Sequence, residues 1–193
     1  MVTTYQIVAD NETYDVTPTA TLLTIGAVVA RIDNGKIDIV DEWYERIEWL
    51  DGAQKGRSIS ESTINWWEKQ RHIYPQAYQE ALLDIGDSKK RIPLKDAMLS
   101  FSEWICKHPY PIWGNGSDFD NAQLKDAFLS FGMEWPYRRN RCLRSLRGAV
   151  ESCVGAIDSS SIAVNKFPHH ALYDAVHEAH ILAHLLQYIR TPM

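Results

Sequence analysis

The chain has 193 residues, 45% of them hydrophobic and 23% charged, with a formal charge of −5. That length and mixture suit one compact, soluble domain over residues 1–193 and exclude a fibrous or disordered chain. The acidic balance speaks against a general nucleic-acid coating protein, but not against a metal site built of carboxylates, whose cations offset the charge.

Tyr5–Ala9 is a short apolar run that reads as a strand ending at Asp10. Leu22–Arg31 is rich in β-branched residues, and Lys36–Val40 returns across Asp33-Asn34-Gly35, a hairpin sequence. Glu42–Trp49 is expected as a further strand. The middle of the chain turns helical. Ser60 or Ser62 caps a helix through Thr63–Gln70, and Pro75–Leu83 and Leu94–Lys107 follow with helical spacing of apolar residues. A short strand, Pro111–Trp113, runs into Gly114-Asn115-Gly116 and a helix capped by Ser117 or Asp118, which Gly132 ends. Helices over Arg141–Ser152 and Ala171–Arg190 complete the chain. The last carries a stripe of Leu172, Ala175, Val176, Ala179, Leu182, Ala183 and Leu186. Strands followed by helices, with one more strand between them, predict an α/β fold in which a mixed β-sheet is flanked by α-helices. Neither a signal-like N-terminus nor an apolar stretch of spanning length is present, so a cytoplasmic protein with no membrane partner is expected. Cys106, Cys142 and Cys153 offer no CxxC pairing; buried or inert thiols are expected.

Four places carry chemistry. Asp10-Asn11-Glu12 closes an apolar strand, and residues two apart in an extended segment face the same side. Two carboxylates held together repel unless a cation lies between them, a feature that a plain polar strand end does not need. In Gly114-Asn115-Gly116-Ser117-Asp118-Phe119-Asp120 the glycines permit a tight turn and close approach. A helix cap explains Asp118 but not Asp120, and no dinucleotide or P-loop fingerprint is present. In His169-His170-Ala171-Leu172-Tyr173-Asp174, the aspartate lies about 130° around the helix from the centre of the apolar stripe. His169, just outside the helix, reaches the same opening. His177, His180 and His184 share a flank at metal-ligand spacing, but no HExxH completes a zinc set, and a half-exposed polar flank is expected.

Asp10, Glu12, Asp120 and Asp174 form an oxygen donor set suited to Mg²⁺ or Mn²⁺ rather than zinc. Four carboxylates can hold two ions roughly 3.5–4 Å apart, as two-metal phosphodiester hydrolysis requires. One ion lowers the pKa of a water and the other stabilises the leaving 3′ oxygen. His169 is expected to take the proton of that water. Tyr137–Val150 carries Arg138, Arg139, Arg141, Arg144 and Arg147 with no acidic residue, and reads either as a phosphate-holding cluster or as an ordinary basic helix face.

The order D-x-E, then F-D at a helix start, then H-x-A-L-x-D near the C-terminus resembles the DEDDh 3′–5′ exonucleases. These include oligoribonuclease, ribonuclease T and the proofreading subunit of bacterial replicases, and share a ribonuclease H-like fold. Thr63-Ile64-Asn65-Trp66-Trp67-Glu68-Lys69-Gln70 and Trp113-Gly114-Asn115-Gly116 look most like a phage and prophage branch, with the T-even phage exonuclease A and exodeoxyribonuclease VIII-like or exoribonuclease-like proteins. The resemblance runs from Tyr5 to about Tyr188. It implies that Asp10 and Glu12 are the first motif, Asp120 the second, and His169 with Asp174 the third. Asn11 departs from the apolar residue usual there, and His170 is a weaker rival for the base. The resemblance further implies hydrolysis from a free 3′ end to nucleoside 5′-monophosphates, DNA slightly ahead of RNA, and a homodimer. A single strand is the expected substrate, because a paired end would first have to fray.

Trp66 and Trp67 are candidates for stacking on bases; adjacent helix positions point about 100° apart, so one is expected in the core and one on the strand. Tyr14 and Phe119, which flank the acidic motifs, are candidates for base or sugar contacts. Asn115, Arg138, Arg139 and Arg141 are further candidates for holding nucleic acid. Two rival readings are a nucleic-acid-binding module that has lost catalysis and a metallohydrolase built on His177, His180 and His184. The first predicts a missing ligand, and none is missing; both leave Asp10, Glu12 and Asp120 unexplained.

Overall fold

Residues 3–50, 52–84, 89–116, 118–158, 162 and 164–190 are described by the structure, a computed structural model. Strand β1 (Thr4–Thr13) pairs antiparallel with β2 (Leu22–Asp33), and β2 with β3 (Lys36–Arg46). Asn34 and Gly35, at φ 51° and 74°, form the tight turn between β2 and β3. On its other edge β1 runs parallel to β4 (Ile112–Gly114), and β4 parallel to β5 (Asn140–Cys142), giving the order β3-β2-β1-β4-β5. Helices α1 (Glu61–Ile73), α2 (Pro75–Leu82), α3 (Leu94–Lys107), α4 (Asp120–Ser130), α5 (Leu143–Val154) and α6 (Ala171–Arg190) flank this mixed sheet, the architecture expected from the sequence.

Alternation along β1 decides what faces what. Ile7 and Ala9 point into a core with Phe101 of α3 and Leu124 and Phe128 of α4. Val8 points the other way, under Leu143 of α5 and Ala175, Ala179 and Leu182 of α6. The same period puts Asn11 on the α4 face and both Asp10 and Glu12 on the α6 face. A third cluster, with Tyr14, Leu23, Trp67, Tyr78, Ala81 and Leu82, fixes α1 and α2 to the end of the sheet.

Several boundaries differ from expectation. β1 continues past Asp10 because β2 stays paired beside it as far as Thr13. Lys36–Val40 and Glu42–Trp49 are one strand rather than two, ending at Arg46, and the register shift opposite Val29 and Ala30 absorbs Val40 as a bulge. Helix α4 starts at Asp120 itself with no side-chain cap, Asp118 is exposed, and Ser117 lies outside the described residues. Asn140–Cys142 form a strand instead of the start of a helix, and α5 begins at Leu143. Cys106 and Cys153 are exposed and Cys142 half-buried, all three free, so the expected burial of the thiols does not hold: Cys106 and Cys153 lie on solvent-facing sides of α3 and α5. Among the described residues no helix is long and apolar enough to cross a membrane.

Candidate active site

Asp10 and Glu12 project from β1 towards the start of α6. Gly26, the cross-strand partner of Asp10, allows the helix to lie there. A β-carbon at Gly26 would fall 2.3 Å from the Leu172 nitrogen and 2.4 Å from the Ala171 carbonyl carbon, so the helix backbone occupies that space. Residues just before and inside α6 thereby reach the β1 carboxylates. Glu12, His169 and Asp174 each bring one ligand atom within 4.8 Å of the others, the only such trio found among the described residues.

Asp120 enters from the opposite side, at the end of β4. It is 1% exposed, with Oδ2 accepting from the Asn115 amide at 2.8 Å and Oδ1 from the Asn11 amide at 3.4 Å. The Asn11 side chain donates to the Asp120 carbonyl at 3.1 Å and to Gln123 Oε1 at 3.2 Å, so this residue pins α4 to β1. Gly114 gives the clearance, since a β-carbon there would lie 2.8 Å from that of Asp120.

His169 has a left-handed backbone, φ 65°, which costs a non-glycine residue of order 1 kcal/mol or more and persists only where surroundings enforce it. Asp174 enforces it here. Its Oδ2 accepts from the His169 amide at 2.8 Å, and its Oδ1 accepts from the Asn165 side chain. The His169 ring meets Trp66 and Tyr74 edge-on, with centroids 4.9 and 5.0 Å apart. His170 instead stacks on Tyr44 and does not line the cleft.

Electrostatics set these groups apart from surface carboxylates. Burial, reinforced by neighbouring negative charge, holds Asp10 and Glu12 well above the usual carboxylate range. A hydrogen bond between Glu12 and Asp174 adds to the rise at Glu12 and opposes it at Asp174. Burial pushes Asp120 and Asp174 up to about 6, although each accepts backbone hydrogen bonds that oppose the rise. Burial lowers His169, leaving its imidazole neutral and able to accept a proton. A fifth carboxylate, unforeseen from the sequence, belongs to this group: Glu178, 6% exposed and raised well above its usual range by burial and by Asp120 and Asp174. The signal available was its place four residues after Asp174, on the same helix face.

Asp10, Glu12 and Asp174 open onto a cleft of about 450 Å³ whose lining also includes Trp66, Phe119 and His169, while Asp120 and Glu178 stay buried. Trp66 is 37% exposed and faces the cleft, whereas Trp67 is 1% exposed and donates from Nε1 to the Thr13 carbonyl at 2.9 Å. Of the other candidates, Tyr14 and Arg139 are placed differently from expectation. Tyr14 is buried edge-on against Trp49, because β1 turns it into the third core cluster. Asn115 supports Asp120 from behind. Arg139, in the short 3-10 turn Tyr137–Arg139 before β5, donates to the carbonyls of Tyr110, Ile105 and His108, and the exposed Arg141 of β5 donates to those of Arg138 and Asn140. Arg138 lies over the Tyr137 ring. Arg144 of α5 acts on the acidic groups, its charge opposing the rise at both Asp120 and Glu178. His177, His180 and His184 form the half-buried flank expected of them.

Among curated proteins, no sequence matches this chain. Solved structures similar to it include cell-death related nuclease 4 (CRN-4), with a TM-score of 0.62, 11% identity and 94% of this chain covered. The chain spans 63% of that protein's length. The nuclease domain of 3′hExo, a DEDDh family member bound to rAMP, is similar with a TM-score of 0.57 and 13% identity over 95% of this chain and 92% of that one. A 3′-exonuclease that recognises the 3′ end of a histone mRNA stem-loop has a TM-score of 0.55 and 12% identity, over 97% of this chain and 83% of that one. These likenesses show the ribonuclease H-like fold of DEDDh exonucleases. The model of the 3′–5′ exoribonuclease Rv2179c-like domain matches residues 5–186, nearly the whole chain, and the protein belongs to that family of 3′–5′ exonucleases.

Proposed function

We propose that this protein removes nucleotides one at a time from the 3′ end of a single strand, at the centre formed by Asp10, Glu12, Asp120, His169 and Asp174. The observation that carries the proposal is the convergence of three carboxylates, from β1 and α6, on one cleft beside His169, with the buried Asp120 of α4 acting on Asp10 and Glu12. Oxygen donors crowded so closely raise one another's proton affinity, and a divalent cation is what relieves that repulsion. Hard donors of this kind fit Mg²⁺ or Mn²⁺. When bound, such ions polarise the scissile phosphate and acidify the attacking water.

The residues of the chain do the remainder. Asp10, Glu12, Asp120 and Asp174 would hold two ions. His169, fixed by its backbone bond to Asp174 and by the rings of Trp66 and Tyr74, accepts the proton of the attacking water. Trp66 and Phe119 offer ring faces to the terminal base, and a cleft of about 450 Å³ has room for a nucleotide. The products are nucleoside 5′-monophosphates.

The phage-branch resemblance favours DNA, and the family description favours RNA. We adopt RNA as the preferred strand because the family match covers 182 residues, 5 through 186. The test is digestion of a mixture of 5′-labelled RNA and DNA of one sequence, beside circular strands of each. Shortening from the 3′ end of linear RNA first, with circles intact, is expected. Cleavage of circles would replace the exonuclease reading with an endonuclease, and DNA consumed first would reverse the sugar preference.

A further inference from the structure

Helix α6 sets Glu178 one turn beyond Asp174, on the side that faces the cation centre. Its Oε2 is buried and has no hydrogen-bond partner in the structure. A buried carboxylate oxygen without a donor is costly to keep. The carboxylates acting on it, Asp120 and Asp174, do not relieve it, and Glu178 acts in turn on Asp10 and Glu12. The rest of the group is provided for. The Asn115 side chain bonds to it and Arg144 opposes its charge. Asn115 also donates its amide to Asp120, so one residue holds both carboxylates. The Arg144 guanidinium lies beside Gly116, 3.9 Å from where a β-carbon would sit.

We propose that Glu178 is a fifth acidic residue of the cation centre, its free Oε2 accepting a hydrogen bond from a water on a bound divalent ion and so setting how tightly the site holds that ion. This rests on the reading of Asp10, Glu12, Asp120 and Asp174 as ion ligands. The charges agree with it: two divalent ions and one guanidinium balance the five carboxylates. Glu178 is a positioning residue in this scheme, acting through the ion's hydration.

Binding of Mn²⁺ to the full chain without nucleic acid, followed by the paramagnetic resonance of free Mn²⁺, tests it. Glu178→Gln keeps the shape and removes the charge; its Mn²⁺ affinity is expected to fall about tenfold or more, as for outer partners of metal ligands generally. Its thermal midpoint in EDTA should equal or exceed that of the wild type. Unchanged Mn²⁺ affinity, or a lower midpoint in EDTA with the Mn²⁺-induced rise intact, overturns the proposal and makes Glu178 a structural residue. Arg144→Gln, on the surface, is a second route if the first variant misfolds. It should tighten Mn²⁺ binding, and weaker or equal binding contradicts the scheme. Asp174→Asn separates the two levels. A wild type that binds no Mn²⁺ overturns the cation reading and this proposal together, whereas loss of binding in Asp174→Asn with Glu178→Gln unaffected overturns the proposal alone.

Discussion

Trp66 and Trp67 stand next to each other and have opposite fates. Trp67 is buried with its indole N–H on the Thr13 carbonyl, so Trp67→Ala should cost about 3–5 kcal/mol of stability, read as a shift of the denaturation midpoint. Trp66 lines the cleft, so Trp66→Ala should leave that midpoint near the wild type's and raise KM, since a base-stacking ring contributes roughly 1–3 kcal/mol. An unchanged KM would remove Trp66 from the strand's path. At His169 the expectation is kinetic. His169→Ala should lower kcat about 10²–10⁴-fold with Mn²⁺ binding retained, and loss of Mn²⁺ binding would make the imidazole a ligand instead of the base. Much at this scale was legible in the sequence. Glu12, His169 and Asp174 come together, Asp10 lines the same cleft and Asp120 acts on Asp10 and Glu12, because strand and helix periods fix which side chains share a face. Asn11, Gly26 and Glu178 were not legible as parts of the site. What each does depends on an element far away in the chain: α4 for Asn11, the α6 backbone for Gly26, and the β1 carboxylates for Glu178. Arg139 was misleading for the same reason, since its carbonyl partners lie in and after α3, about thirty residues earlier.

Helix α6 is the element on which the site depends, because it carries Asp174 and Glu178 and anchors His169. Its seat on the sheet is Gly26. Gly26→Ala places a methyl group on the helix backbone, where contacts of 2.3–2.5 Å cannot be relieved by a side-chain rotation. The variant should lose at least about 1–3 kcal/mol of stability, typical of overpacking, and lose activity more than stability alone explains. A fully active, fully stable Gly26→Ala would mean that α6 does not need its present seat. Element boundaries were read well where the pattern is long, as in α3 and α6, whose limits the sequence predicts residue for residue. They were misread where the partner strand decides. β1 outruns its apolar stretch because β2 runs beside it, and the three residues of β5 are too few to show a period.

At the scale of the whole molecule, the buried acidic cluster makes the protein depend on pH and on cations. Burial pushes Asp120 and Asp174 up to about 6 in the fold from an ordinary 3.8. The folded state therefore holds those protons more tightly than the unfolded state. The stability they contribute is complete below about pH 4 and is lost as the pH rises through about 6. In EDTA the thermal midpoint should fall across that window, less so in Asp174→Asn, and added Mn²⁺ should restore it at pH 7. A midpoint in EDTA that rises across the window in the wild type and Asp174→Asn alike would contradict the electrostatic account.

The most direct test of the account follows 5′-labelled single-stranded RNA in Mn²⁺ or EDTA, with wild type beside Asp10→Asn. Asp10 lies among the other carboxylates, and its replacement by an isosteric amide should spare the fold. A ladder that shortens from the 3′ end with Mn²⁺, absent in EDTA and in Asp10→Asn at an unchanged circular-dichroism spectrum, is the predicted result. Equal shortening by Asp10→Asn, or by the wild type in EDTA, would contradict the claim that these carboxylates form the exonuclease centre.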